Sequence, residues 1–122
     1  MKKVLDVGQC GPDHAAICRL IETNFQATVV QTQGPLDTLA ELERGQFHLV
    51  LVNRKLDADY SDGVQIIRQI KSSPELAGIP VMLITNYPEH QKIAIEAGAV
   101  MGFGKVELSD PLTLEKLAKF LS

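Results

Sequence analysis

Leu49-Val50-Leu51-Val52-Asn53 is the stretch whose reading decides the fold. Four consecutive aliphatic residues, half of them β-branched, form a strand with no polar face, as expected where a parallel strand lies under helices on both sides. The run ends on a polar residue, Asn53. It is read as β3, the central strand of an open sheet.

Working outward, short aliphatic runs alternate with amphipathic stretches at the interval of repeated β-loop-α units. Toward the N-terminus, Val4-Leu5-Asp6-Val7 is the first strand. Pro12 then opens a helix on which Ala16, Ile17, Leu20 and Ile21 share a face. Ala27 to Thr32 is the second strand, and Leu36, Leu39, Ala40 and Leu42 mark a second helix closed by Gly45. Toward the C-terminus, Val64, Ile66, Ile67 and Ile70 give a helix ending near Pro74. Ile79 to Ile84 is the fourth strand. Residues 89–97 form a weak helix ending at Gly98, and Val100 to Phe103 the fifth strand. The last helix has Asp110 as cap, Pro111 in its first turn, and Leu114, Leu117, Ala118 and Leu121 facing inward. Five strands and five helices make an α/β doubly wound parallel sheet, because right-handed crossovers place helices on both faces.

The bulk properties agree. The 122 residues, 45% hydrophobic, suit one domain spanning 1–122, with no repeat or linker. A formal net charge of −3 without a Lys/Arg stripe argues against direct nucleic-acid binding. No apolar run approaches the roughly 18 residues of a membrane span. Two cysteines, Cys10 and Cys18, are too few for a disulfide framework, so a reducing cytoplasmic setting is expected.

In such sheets the functional crevice lies beyond the carboxyl ends of the strands. Those ends carry Gly8 and Gln9, Asn53, Thr85 and Asn86, and Lys105. With these residues in place, the whole chain resembles the receiver domain of bacterial two-component response regulators. The resemblance implies a flavodoxin-like sheet of order 2-1-3-4-5. It also implies two adjacent carboxylates after the first strand that hold magnesium, and an aspartate after the central strand that accepts a phosphoryl group. Gly8, Gln9 and Asn53 stand at those positions. The family's hydroxyl and lysine are retained as Thr85 and Lys105. The proline that usually follows the lysine is Val106, so the turn into the last helix is expected to differ. The family's aromatic switch position holds Gly102. Phe103 lies one step along, where strand alternation turns its ring away from the usual groove.

The consequence for chemistry rests on electronic properties alone. Phosphoryl transfer to a carboxylate needs an anionic oxygen nucleophile and a divalent cation. An Asn53 amide is a poor nucleophile, and Gly8-Gln9 offers at most one neutral oxygen ligand. The sequence therefore predicts a degenerate pseudo-receiver: not an enzyme, with no metal or cofactor. It would act through protein contacts with a histidine kinase, an output domain, another receiver or a second copy of itself. The competing expectation is a small-molecule or anion sensor, since losing carboxylates while keeping Lys105 makes the pocket more positive. The bland reading has Thr85 satisfying local backbone and Lys105 reaching Asn53, Gln9 or solvent.

Other features are weaker. The loop Asp57 to Gly63 carries three carboxylates and looks two residues longer than the family's usual connection. It fails the calcium-loop pattern because Asp62 and Arg68 occupy the required glycine and glutamate positions, so a solvated turn is expected. Cys10 invites comparison with phosphocysteine loops, but Ala16 stands where the phosphatase arginine belongs, leaving a packed or partly exposed thiol as the default. Asp6, in the middle of a central strand, needs a buried partner or a different register. His14, His48 and His90 form no ligand or triad spacing and are read as solvated or helix-capping.

Overall fold

The computed structural model describes residues 1–122. The strands are β1 (Lys2–Val7), β2 (Ala27–Thr32), β3 (Leu49–Asn53), β4 (Val81–Ile84) and β5 (Val100–Phe103). The helices are α1 (Gly11–Asn24), α2 (Pro35–Arg44), α3 (Gly63–Ser72), α4 (Pro88–Glu96) and α5 (Pro111–Leu121). All strand pairs are parallel and the sheet order is β2-β1-β3-β4-β5.

Side-chain alternation along the strands separates two apolar layers. Leu5, Val7, Val50, Val52 and Leu83 pack with Leu42, Ile67, Ile70 and Ala94 under α2, α3 and α4. Val4, Leu49, Leu51, Met82 and Ile84 pack with Ile17, Ile21, Leu117 and Leu121 under α1 and α5. Every residue of β3 from Leu49 to Val52 is fully buried, which is why its sequence shows no polar alternation.

Prolines open four of the five helices, where a missing N–H costs nothing. The other, α3, is capped by Asp62, whose carboxylate accepts from Val64 N at 3.0 Å. Asp110 caps α5 in the same way through Leu112 N at 2.9 Å.

Three expectations are corrected. β4 begins at Val81, not Ile79, because Ile79 N is spent on Leu76 O in the preceding turn and Pro80 has no N–H to donate. In α5 the buried positions are Thr113, Leu117 and Leu121, while Leu114 and Ala118 are only half-buried. Thr113 is accommodated because its hydroxyl donates to Glu107 O at 2.7 Å. Between β5 and α5 the chain makes a 3-10 turn, Lys105–Glu107, that the sequence pattern did not indicate.

Candidate functional site

The strand ends bring Gly8, Gln9, Asn53, Thr85 and Lys105 to one edge of the sheet, where Asn53, Thr85 and Lys105 line one depression that Gly8 and Gln9 do not. Gly8 has φ +77 and its carbonyl accepts two bonds, from Asp57 N at 2.9 Å and from Asn53 Nδ2 at 3.0 Å. A Cβ built on Gly8 would lie 2.4 Å from Leu56 Cδ2. The glycine is therefore a backbone requirement as well as a missing carboxylate. Gly8→Asp is expected to cost about 1–2 kcal/mol from the left-handed φ alone, read as a shift in the urea midpoint at unchanged slope.

Gln9 turns inward. It is 1% exposed, and neither its amide oxygen nor its amide nitrogen has a side-chain or backbone partner. Asn53 is tied to Gly8 O, and Gly63 closes over it: a Cβ on Gly63 would sit 2.0 Å from Asn53 O. Thr85 accepts from Tyr87 N at 3.3 Å and lies 3.4 Å from His90 Nδ1, so its hydroxyl does serve local backbone.

Lys105, expected to reach Asn53, Gln9 or solvent, contacts neither Asn53 nor Gln9 and is partly exposed. Its Nζ donates to Asp13 Oδ2 at 2.6 Å, across the crevice to the first turn of α1. That ion pair, with a contribution from the Cys10 thiol, holds the Asp13 carboxyl below its ordinary range. Asp13 was not singled out in the sequence, because 92 residues separate the pair.

Asp6 keeps the β1 register, opposite Gln31 and Leu51, and points into the layer under α1. It is fully buried and is met there by His14 Nδ1, which donates to its Oδ2 at 2.7 Å. Its other oxygen has no partner. Burial outweighs His14 and pushes the Asp6 carboxyl up from 3.8 to about 6. The folded state thus binds this proton more tightly than the unfolded chain. Its contribution to stability is present below about pH 4 and is lost as pH rises through about 6. The shifts at Asp13 and Asp59 are downward and act at more acid pH. Relative to an Asp6→Asn variant, the wild-type melting temperature should fall between pH 4 and pH 6; parallel curves for the two proteins would remove Asp6 as the cause.

The histidines, expected to be solvated or helix-capping, are half-buried and make specific contacts. His14 holds Asp6, and His48 Nδ1 accepts from Lys3 N at 3.1 Å. His90 packs edge-on against Tyr87 with ring centroids 5.4 Å apart.

Cys18 completes a Cys-His-Asp sequence of contacts, but not a catalytic one. Its sulfur lies 3.3 Å from His14 Nε2 and 3.9 Å from Nδ1. Such similar distances to the two nitrogens put sulfur over the ring face, away from the in-plane lone pair that would take its proton. Burial also pushes the Cys18 thiol up, keeping it protonated. Cys10 sits at the N-cap of α1, half-buried.

In the loop after β3, Asp59 accepts from Ser61 N and Ser61 Oγ, and Asp62 caps α3. Both carboxylates are therefore committed to the turn. Gly102 leaves no room for a side chain, since a Cβ would lie 2.2 Å from Leu83 O. The Phe103 ring is 1% exposed in the α1/α5 layer, beside Leu117 and Leu121.

Magnesium, which the fold family implies, does not fit this donor set. Gly8 has no side chain, Gln9 is turned inward, Asn53 presents its amide nitrogen to Gly8 O, and the Asp13 carboxylate across the crevice is taken by Lys105.

No protein-family model and no curated protein matches the sequence. Solved structures do match the fold. The signal receiver domain of a DNA-binding response regulator from Colwellia psychrerythraea is 23% identical with a TM-score of 0.81, covering 98% of this chain and 96% of that one. The BeF3-activated N-terminal receiver domain of Klebsiella pneumoniae RstA is 19% identical with a TM-score of 0.81, covering 98% and 97%. Vibrio cholerae chemotaxis protein CheY4 is 18% identical with a TM-score of 0.78, covering 99% of each chain. The fold is that of response-regulator receiver domains, over the full length of the chain. No helix is long and apolar enough to cross a membrane.

Proposed function

We propose that this chain is a pseudo-receiver: a receiver-fold signalling module that accepts no phosphoryl group, catalyses no reaction and acts through protein contacts. The observation that carries the reading is the hydrogen bond from Asn53 Nδ2 to Gly8 O at 3.0 Å. An amide nitrogen donor occupies the place where a phosphoacceptor must present a carboxylate oxygen, and Lys105 has turned to Asp13.

The exposed apolar residues support a contact role. Of ten large hydrophobics that are exposed, seven fall between the N-cap of α4 and the first turn of α5: Tyr87, Ile93, Ile95, Val100, Met101, Val106 and Leu112. Tyr87, Met101 and Val106 line one depression, and Ile95 follows Gln91 of that same depression by one helical turn. Apolar groups such as Tyr87, Met101 and Val106, gathered around one depression, favour a protein partner over solvent. The partner class is a histidine kinase, an output domain, another receiver or a second copy. Two free cysteines suit the cytoplasm of a bacterium.

An amide NMR titration with magnesium and beryllofluoride, which mimics an acyl phosphate, tests the reading. The expected outcome is no magnesium-dependent shift at Thr85, Asn86 or Lys105. A saturable shift at those residues that requires magnesium would sink it.

A further inference from the structure

Two depressions meet at the C-terminal edge of the sheet and share Thr85, Asn86 and Tyr87. The first, about 160 Å³, is completed by Asn53, Arg54, Lys55, Ile84 and Lys105, so three cations and no carboxylate line it. Lys105 is answered by Asp13, but Arg54 and Lys55 form no ion pair with any carboxylate in the chain. Two consecutive cations without an ion-pair partner at a strand end, in a protein of net charge −3, are a local reversal of the overall sign.

The second depression, about 350 Å³, lies between α4, β5 and α5 and has Tyr87, Pro88, Met101 and Val106 as apolar walls. Its two charged residues are engaged with backbone: Glu107 Oε1 accepts from Gly104 N at 2.8 Å, and Lys116 Nζ donates to Gly102 O at 3.0 Å. It stays open for a definite reason. Gly102 cannot carry a side chain against Leu83 O, and Phe103 directs its ring to the other layer. No side chain of this protein is placed to fill it. The pair of spaces therefore combines a cationic, hydroxyl- and amide-lined end with an apolar end, and the larger is of ordinary size for a small-molecule site.

From this juxtaposition we infer that the joined cleft binds a phosphomonoester carrying a planar aromatic body. The dianionic head sits at Arg54 and Lys55 with Thr85 Oγ1 and the Asn86 amide as hydrogen-bond partners, and the ring lies against Tyr87, Met101 and Val106. Two unpaired cations match a dianion better than a carboxylate, and guanidinium suits a phosphate geometrically. Binding is non-covalent. Because the apolar half belongs to the proposed contact face, occupancy alters that face directly, and a ligand takes the place of a phosphoryl group as the input. The inference rests on the pseudo-receiver reading in that the cleft is free of a covalent phosphoryl group.

Phenyl phosphate, inorganic phosphate and phenol are the probes, each titrated into the full chain at low salt and followed by amide NMR. Phenyl phosphate should shift Thr85, Asn86, Gly102 and Val106 saturably, at least about tenfold more tightly than either inorganic phosphate or phenol. Arg54→Gln together with Lys55→Gln should weaken phenyl phosphate at least about tenfold and leave phenol unchanged. Val106→Glu, at an exposed position that does not disturb the fold, should abolish the advantage of phenyl phosphate over inorganic phosphate. The inference is overturned if phenyl phosphate gives no saturable shift, if inorganic phosphate binds equally well, or if the double variant binds like the wild type. Failure of the pseudo-receiver reading would show separately, as a covalent phosphoryl adduct in the intact mass.

Discussion

His14→Ala should destabilise the protein by about 2 kcal/mol at pH 7.5, and by clearly less at pH 5. The reason is the carboxylate it leaves behind. Asp6 is fully buried in the middle of β1, one of its oxygens is already without a partner, and His14 Nδ1 at 2.7 Å serves the other. Without the imidazole, an ionised Asp6 stays buried and loses the ring nitrogen that serves its Oδ2. Near pH 5, below the value of about 6 to which burial has pushed it, Asp6 is already protonated and its need for His14 is smaller. Asp6→Val combined with His14→Ala should recover most of the loss, because replacing both partners of a buried pair is far less costly than removing one. Urea denaturation at the two pH values measures this. Equal losses at pH 5 and pH 7.5, unrelieved by the double substitution, would show that His14 matters by packing alone.

Gly102→Tyr, which puts an aromatic ring back at the position where receivers carry one, should cost about 3 kcal/mol or more instead of rebuilding a switch. A Cβ here meets Leu83 O at 2.2 Å, and that oxygen belongs to the backbone of the adjacent strand, where no rotamer change relieves the clash. Gly102 is also held from both sides, by Gln91 Oε1 accepting from its N–H at 3.0 Å and by Lys116 Nζ donating to its carbonyl. The neighbouring Met101→Tyr, at a half-exposed position, should change stability by no more than about 0.5 kcal/mol. Equal stability of Gly102→Tyr and the wild type would mean that β5 can shift its register against β4, where an irregularity already lies between Met82 and Ile84.

These two sites also mark where sequence reading stops. The central strand was legible because burial on both faces leaves Leu49 to Val52 without polar alternation, and the starts of α1 and α5 were legible because Pro12, Asp110 and Pro111 announce them locally. The expectation that no phosphoryl group is accepted rests in the same way on what Asn53 is and not on what surrounds it. Asp6 was legible only as an anomaly: a carboxylate in an apolar strand signals a partner, and the helix above that face supplies it eight residues later as His14. Nothing local signals that Lys105 would turn to Asp13. Nor does any local pattern show that Gly8 needs a positive φ under Leu56, or that Gly102 faces a carbonyl. Those facts belong to the packing of elements against one another, and a sequence records them only as an amino-acid type whose reason lies elsewhere in the chain.

The central claim is that the strand-end crevice accepts no phosphoryl group, and the most direct measurement is the intact mass of the protein after incubation with acetyl phosphate or phosphoramidate and magnesium. The account predicts an unchanged mass for the wild type under conditions that modify an active receiver run in parallel. An acid-stable, hydroxylamine-labile phosphoryl adduct on the wild-type chain would contradict it, because such an adduct is an acyl phosphate and Asn53 cannot form one.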